Sequence, residues 1–286
     1  MPDTSAQCRL EQDQARHPGQ DERIHLAADK EKTDDIADHY GCISIKGDVT
    51  LFKSVTSQIA ICGVPKCEKG CPKMIVDERM VTYIRSLESP EREIIERIEE
   101  EALDAYVPII RKETQSFLKV LMMMKQPKRI LEIGAAVGFS AILMSEYMPE
   151  DGQITTIENY EKRIPVAREN FKRAGKEEKI TLLEGDALEI MRTLEGPYDF
   201  IFMDAAKGQY IHYMPEAIRL LSPGGVLMSD NVLQDGDLIE SRFAVERRNR
   251  TIHSRMREYL YELKHDERLL TTILPLGDGV ALSIKK

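Results

Sequence analysis

Three polar side chains follow short apolar runs in the second half of the sequence. Asp204 follows the run 200–203, and Asp230 and Asn231 follow the run 225–229. Adjacent parallel strands lie about 4.8 Å apart, so side chains at their carboxyl ends meet at one edge of a sheet. Oxygen ligands with open positions suit Mg²⁺ or a similar hard cation rather than zinc. The pattern therefore predicts a divalent-cation site made by Asp204, Asp230 and Asn231. Strand-end acids that only cap neighbouring helices are the structural alternative.

Lys207 follows closely after Asp204 in the segment Asp204-Ala205-Ala206-Lys207. A lysine beside a bound cation is a candidate base, or a candidate cation next to the reacting oxygen. We therefore assign Asp204 and Lys207 as the catalytic candidates. An ordinary surface lysine is the alternative interpretation of Lys207.

A glycine-containing turn and two later acids indicate a nucleoside cofactor. The run 131–140 contains Gly134 and Gly138, but Ala136 stands where a dinucleotide site has its middle glycine, which favours a cofactor without a pyrophosphate. Glu158 lies about 20 residues after this turn, where an acid accepts ribose hydroxyls. Asp186, between Gly185 and Ala187, is placed to meet the adenine amino group. A tight turn without a ligand is the alternative for the glycines alone.

Alternating apolar runs and amphipathic stretches must position these residues. Strands are predicted over 129–133, 153–157, 179–183, 198–203 and 225–229, with helices between them. Such alternation predicts an α/β fold with parallel strands and helices on both faces. Two last strands, 270–274 and 280–284, are too close for a crossover helix and should form an antiparallel hairpin. Helices precede the sheet, one of them starting at Ser89-Pro90-Glu91, and a long helix is predicted over 242–264.

Bulk properties exclude several classes of protein. The chain has 286 residues, 42% of them hydrophobic, and a net charge of −9, which argues against non-specific coating of nucleic acid. No apolar run reaches the roughly 18–20 residues that span a bilayer, so no membrane partner is expected. The polar first 20 residues do not resemble a secretory signal. We therefore expect a cytoplasmic protein with reduced thiols.

The composition divides the chain near residue 74. Residues 1–73 are predicted to be a poorly ordered extension, or a stretch translated from a misassigned start codon, and 74–286 the functional domain. Cys62, Cys67 and Cys71 lie in the extension. Their spacing matches neither paired C-x2-C zinc units nor a common ferredoxin run, so a metal or cluster there is the less favoured alternative.

The runs 131–140, 204–210 and 229–233, together with Pro275-Leu276-Gly277-Asp278-Gly279, resemble the cation-dependent O-methyltransferase family over roughly residues 74–286. The resemblance implies a Rossmann-like class I methyltransferase fold, with a seven-stranded, mostly parallel sheet and an antiparallel C-terminal hairpin. It implies a homodimer that uses S-adenosylmethionine and Mg²⁺ or another divalent cation. The implied residues are those at the cofactor, Ile110, Gly134, Ser140, Glu158, Asp186 and Asp204, and those at the metal, Asp204, Asp230 and Asn231.

Within the family, the sequence looks most like the bacterial tRNA 5-hydroxyuridine methyltransferases. This implies methylation of the 5-hydroxyl of 5-hydroxyuridine to 5-methoxyuridine at the wobble position of tRNA. The predicted long helix supplies a local basic cluster, and we expect Arg247, Arg248 and Arg250 to meet the tRNA backbone. A solvated helix face is the alternative interpretation of these arginines.

Three other functions stay open. The same chemistry on a small catechol-like or caffeoyl-CoA-like metabolite is the alternative substrate hypothesis. A non-catalytic tRNA-binding module would not need Asp204, Asp230 and Asn231 together. A nicotinamide oxidoreductase is disfavoured by the incomplete glycine pattern.

Overall fold

A computed structural model describes residues 76–286 of the chain. The predictions made for residues 1–73, including those for Cys62, Cys67 and Cys71, lie outside the described residues. The predicted boundary near residue 74 lies outside them as well.

A seven-stranded mixed sheet forms the centre of the described part of the chain. The strand order is β3-β2-β1-β4-β5-β7-β6; the first five strands along the chain pair in parallel, and β7 pairs antiparallel with both β5 and β6. The predicted parallel sheet and C-terminal hairpin are confirmed. The strands are β1 (Arg129–Ile133), β2 (Gln153–Glu158), β3 (Ile180–Glu184), β4 (Tyr198–Met203), β5 (Leu221–Ser229), β6 (Leu269–Leu274) and β7 (Val280–Lys285).

Three helices precede the sheet in residues 76–286, and five follow its first strand. The helices are α1 (Glu78–Ser86), α2 (Glu93–Asp104), α3 (Lys112–Lys125), α4 (Phe139–Tyr147), α5 (Ile164–Ala174), α6 (Ala187–Thr193), α7 (Tyr210–Leu220) and α8 (Arg250–His265). None of these helices has the length and apolarity needed to cross a bilayer. The cytoplasmic location stays a prediction.

The central strands are apolar on both faces because helices cover both sides of the sheet. Ile130 and Phe200 pack with α2, α3, α4 and α5 on one face. Leu131 and Ile201 point to the other face and pack with α6, α7 and α8. Strands covered on both faces read as continuous apolar runs, which is why the runs along β1 and β4 were recognisable.

The strand order reverses between β1 and β4, which are neighbours although two strands separate them in the chain. The connections that leave the carboxyl ends of these two strands diverge to opposite sides, and ligands of doubly wound sheets bind in the crevice that results. The residues predicted to do chemistry follow β1, β2, β4 and β5 at this edge.

Two predicted helix starts were wrong. Helix α2 begins at Glu93 rather than at Pro90: Arg92 is its N-cap residue with a non-helical backbone, and the Glu91 amide before it donates to Glu96 Oε1 at 3.1 Å. Helix α8 begins at Arg250, not at 242, after a short 3₁₀ turn over Arg247–Asn249.

The late start of α8 has a local cause. The Arg250 guanidinium donates backward to the carbonyl oxygens of Phe243 and Val245, both at 3.3 Å. These carbonyls are therefore satisfied by a side chain instead of by the amides of a continuing helix. An arginine that binds upstream carbonyls in this way leaves no periodicity in the sequence.

Candidate active site

The turn after β1 requires glycine at two positions. Gly134 has a φ of +103°, and a Cβ there would overlap the backbone carbonyl oxygen of Asp204. Gly138 has a φ of +83°, and its Cβ would overlap the ring of Phe171. Ala136, between them, takes a φ of +47°, an uncommon conformation for a residue with a side chain. The turn therefore brings its backbone against β4 at the edge where Asp204 lies.

Glu158, at the end of β2, is held by three backbone amides. Its Oε2 accepts from Ala136 N at 2.7 Å, and its Oε1 accepts from Asn159 N and Tyr160 N at 2.9 and 2.8 Å. A carboxylate offers about four acceptor positions, so about one stays available for a ligand. The carboxylate thus locks the glycine turn to β2 and still presents an oxygen to the crevice.

Ser140 is anchored from below by a buried acid. Its hydroxyl donates to Glu132 Oε1 at 2.5 Å, and the Thr156 hydroxyl donates to Glu132 Oε2. Glu132 is fully buried in the middle of β1. Burial raises the pKa of Glu132 to about 7, while the two hydroxyl hydrogen bonds oppose that rise. The site of Ser140 therefore depends on an acid that sequence analysis did not single out.

Asp186 has a structural task. It is the N-cap residue of α6, and its Oδ1 accepts from Glu189 N at 3.0 Å. Asp186 does not line the main cavity, although its neighbours Gly185 and Ala187 do. Contact between its side chain and an adenine stays a prediction, with one carboxylate oxygen already used by the helix.

Asp204 and Asp230 end the adjacent strands β4 and β5. Asp204 is half-buried because one side faces the cavity, and Asp230 is buried. Burial raises the pKa of both carboxyl groups, and the charge of Asp204 raises the pKa of Asp230 further. Among residues 76–286 neither carboxylate forms an ion pair. The charge of Lys207 only moderates the rise at Asp204.

Asn231 completes the predicted donor set. Its backbone takes a φ of +56°, its amide N–H donates to Asp230 Oδ1 at 2.8 Å, and its Nδ2 donates to Asp278 Oδ2 at 3.2 Å. The side-chain carbonyl oxygen is left to accept a cation. No cluster of three or more His, Cys, Asp and Glu in residues 76–286 is arranged to hold a metal. Two unpaired carboxylates and an amide oxygen nevertheless fit a hard divalent cation.

A cavity of about 550 Å³ joins most of the predicted residues. This volume lies in the range of about 300–1,000 Å³ that is usual for small-molecule sites. Asp230 lies behind the lining and contacts it through Asn231. The predicted residues that line the cavity are Ile110, Gly134, Ser140, Glu158, Asp204, Lys207 and Asn231.

Sequence analysis missed several residues of this cavity. Arg111, Tyr160, Tyr213 and Asp278 line it without having been assigned a role. Asp278 was visible only as the acid of a Gly-Asp-Gly turn between two strands. Its location near the carboxyl end of β5 could have been predicted, because the last strand of the hairpin had to pair with an outer strand of the parallel sheet.

The arginines predicted to bind tRNA differ in their surroundings. Arg247 and Arg248 are exposed, and Arg248 pairs with Glu246 at 2.7 Å. Arg250 is half-buried and holds the carbonyls that precede α8. Arg255 donates to Gly208 O at 3.1 Å. Part of the cluster therefore stabilises the segment around α8, and the tRNA contact stays a prediction.

Comparison with known proteins finds O-methyltransferases among the relatives of this chain. A catechol O-methyltransferase from Niastella koreensis is 38% identical over 128 residues, covering 43% of this chain and 58% of that enzyme. Caffeoyl-CoA O-methyltransferase 2 of Populus trichocarpa is 34% identical over 180 residues, covering 58% of this chain and 70% of that enzyme.

Solved structures share the fold. The O-methyltransferase of Bacillus cereus in complex with SAH has a TM-score of 0.65 and 26% identity, covering 73% of this chain and 97% of that one. A Podospora anserina methyltransferase bound to SAH has a TM-score of 0.66 and 28% identity, covering 73% of this chain and 94% of that one.

The family assignment rests on the extent of one match. A family model described as O-methyltransferase matches residues 85–286, which include every residue of the cavity described above. The chain belongs to the O-methyltransferase family, and it is an enzyme of that kind, an O-methyltransferase.

Proposed function

We propose that this O-methyltransferase uses S-adenosylmethionine and a divalent cation to methylate one of two neighbouring oxygens on a small catechol-like or caffeoyl-CoA-like metabolite. The observation that carries the proposal is the pair of carboxylates, Asp204 and Asp230, which form no ion pair within residues 76–286. Asp204 lines the cavity of about 550 Å³, and Asp230 lies directly behind the lining, in contact with Asn231. The names of the relatives from Niastella and Populus favour a small substrate over tRNA.

The cofactor would lie against the turn after β1. Glu158 keeps about one acceptor position, which suits a ribose hydroxyl. Ser140, held by Glu132, presents its oxygen lone pairs to the same space. Ile110 is buried and lines the cavity from the segment between α2 and α3, where it would exclude water from the cofactor.

The substrate would lie at the edge formed by β4 and β5. Asp204, Asp230 and Asn231 would hold the cation there, and their charge and geometry suit Mg²⁺. When bound, the cation would lower the pKa of the substrate hydroxyl and fix two neighbouring oxygens. Asp204 also ends the strand against which the cofactor turn packs, so it borders both halves of the site.

The chemical step is a direct substitution. S-adenosylmethionine, when bound, would supply its methyl group to the substrate oxygen and would itself leave as a neutral thioether. Lys207 lines the cavity and is the candidate acceptor for the hydroxyl proton. The remaining residues orient the two reactants, which is the larger part of catalysis for a reaction that needs close alignment.

The test uses the full chain, S-adenosylmethionine and two isomeric substrates. With Mg²⁺ present, we expect mass spectrometry to detect methylation of vicinal dihydroxy aromatics and little of the meta isomers, whose oxygens cannot share a cation. The activity should disappear with a chelator and in Asp230→Asn. Equal activity on both isomers, or activity that persists through exhaustive chelation, would contradict the proposal.

Modification of tRNA is the second candidate. It is supported by Arg242 and Arg247, exposed arginines that form no ion pair in the described part of the chain. Arg250 is unsuitable for charge reversal because it holds backbone carbonyls. The informative variant is therefore Arg242→Glu with Arg247→Glu, which should abolish formation of 5-methoxyuridine and leave S-adenosylmethionine affinity intact. Unchanged nucleoside profiles in tRNA from a deletion strain would exclude this candidate.

A further inference from the structure

The turn between β6 and β7 is clamped against the loop that carries Asn231. Val232 N donates to Gly279 O and Leu233 N donates to Asp278 O, both at 2.9 Å. A Cβ at Gly279 would lie 2.7 Å from the backbone nitrogen of Leu233. The turn therefore approaches the loop so closely that only glycine fits at position 279.

The other side of the same turn faces α3. A Cβ at Gly277 would lie 2.9 Å from the hydroxyl oxygen of Thr114, and Gly277 has a φ of +56°. The turn is thus fixed between the start of α3 and the loop after β5. Asp278, between the two glycines, has little freedom to move its backbone.

The Asp278 carboxylate contacts both sides. Its Oδ2 accepts the Nδ2 hydrogen of Asn231 at 3.2 Å, and its Oδ1 lies 2.5 Å from Arg111 Nη2. The second contact is an ion pair, because Oδ1 is buried and accepts no directed hydrogen bond within residues 76–286. Arg111 also donates to Asp235 Oδ1 at 2.8 Å. The Asp278 side chain is 12% exposed, so these contacts exchange poorly with water.

A carboxylate beside an amide decides which end of the amide faces it. An ionised carboxylate only accepts hydrogen bonds, so the NH₂ group of Asn231 must face Asp278 and its carbonyl oxygen must face away. The reversed amide would place oxygen against oxygen. A neutral amide or hydroxyl in place of the carboxylate would not distinguish the two ends of the Asn231 amide, since such a group both donates and accepts hydrogen bonds.

We propose that Asp278 is a positioning residue that turns the carbonyl oxygen of Asn231 toward the cation, and that Arg111 holds Asp278 in place for this task. The inference rests on the proposed metal-assisted function and extends it to two residues outside the donor set. Arg111 directly follows Ile110, so the ion pair also joins the segment over the cofactor to the turn that contacts Asn231.

The experiment measures Mn²⁺ binding by electron paramagnetic resonance and SAH binding by calorimetry on the full chain. We expect Asp278→Ala to weaken Mn²⁺ affinity about 10- to 100-fold, the usual effect of removing a partner that orients a ligand. Asp278→Asn, which keeps an acceptor oxygen, should lose less, and Arg111→Gln should lose a few-fold. SAH affinity should stay within about 2-fold in Asp278→Ala and Asp278→Asn, which shows that the variants fold.

Asp266→Ala is the matched control. Asp266 also pairs with an arginine, Arg268, at 2.6 Å, and its side chain is also 12% exposed, but it does not line the cavity. Mn²⁺ affinity should be unchanged in this variant. Wild-type affinity in Asp278→Ala would overturn the inference alone. If the wild-type protein itself bound no Mn²⁺, the proposed metal-assisted function would fail, and the inference with it.

Discussion

Glu132 places an ionisable group in the middle of a buried strand. Its neighbours are the hydroxyls of Ser140 and Thr156, and no described cation pairs with it. Such a group is tolerated because both oxygens are hydrogen-bonded, but its charge still lies in an apolar surrounding. The protonation state of the Glu132 carboxyl is therefore linked to the position of the Ser140 hydroxyl at the cofactor cavity.

Glu132→Gln should change how stability depends on pH. The pKa of Glu132 is about 7 in the folded protein, because of burial, against 4.5 for an ordinary glutamate. Between these values the folded protein binds a proton that the unfolded chain has released, so stability falls as pH rises. The difference corresponds to about 3 kcal/mol. Urea denaturation from about pH 5 to pH 8 should show this fall in the wild type and a smaller fall in Glu132→Gln, in which the raised pKa values of Asp204 and Asp230 remain.

Glu78→Gln, at an exposed position on α1, is the control and should retain the pH slope of the wild type. Identical slopes in Glu132→Gln and the wild type would contradict the assignment. A stability that rose with pH through the same window would contradict its sign.

At the scale of elements, one buried side chain joins the ends of β4 and β5. The Tyr210 hydroxyl lies 3.2 Å from Met203 O and from Asp230 O, and it accepts the amide of Ala205, also at 3.2 Å. Tyr210 is the first residue of α7 and is fully buried against Tyr259. The two strand ends that carry Asp204 and Asp230 are therefore fastened to each other through a phenol.

Tyr210→Phe should loosen this connection. Removal of the hydroxyl leaves the half-buried Ala205 amide without its partner, which costs about 1–3 kcal/mol when the group is shielded from water. Chemical denaturation should detect that loss, and Mn²⁺ affinity should fall because the carboxylates are less well held. Tyr261→Phe is the control, since Tyr261 is exposed on α8 and stacks on His265. A change in stability below about 0.5 kcal/mol in Tyr210→Phe would show that the fastening does not matter.

Elements also explain which predictions succeeded. The strands were predictable because apolar runs repeat along β1, β4 and β5 and acids stand at the ends of β2, β4 and β5, and the hairpin followed from its short connection. The start of α8 was not, since it depends on where Arg250 folds back. The N-cap role of Asp186 was within reach, because aspartate directly before a helical run is a common cap.

The candidate site was predictable only in part for a physical reason. Asp204, Asp230 and Asn231 follow strands, so periodicity places them at one edge. Arg111 and Asp278 meet across the fold, from the segment before α3 and the last turn of the sheet. A contact between such distant parts of the chain leaves no local pattern in the sequence.

At the scale of the whole molecule, α1 and α3 carry a group of exposed apolar side chains. The two helices pack together, and Arg85 of α1 pairs with Glu113 of α3 at 2.7 Å. Exposed apolar side chains on two helices that pack together are a candidate association surface. The exposed apolar side chains are those of Met80, Tyr83, Leu87, Val120, Met123 and Met124.

The homodimer stays a prediction, and this surface is our candidate for its interface. We expect light scattering after gel filtration to give twice the mass of the chain for the wild type. Tyr83→Glu with Met124→Glu should give the single-chain mass, because two charges would be buried in a twofold interface. Ile239→Glu is the control, because Ile239 is 82% exposed and belongs to neither α1 nor α3. A single-chain mass for the wild type at micromolar concentration would contradict the prediction.

The clamp that the Gly-Asp-Gly turn places on Asn231 has a consequence for biosynthesis. On the ribosome this turn emerges after every other residue that lines the cavity. A nascent chain that has emerged only through β5 would still lack the carboxylate that we propose to orient the amide. The proposed cation site would therefore be completed late in translation. A chain released early would have the cofactor crevice but an incomplete cation site.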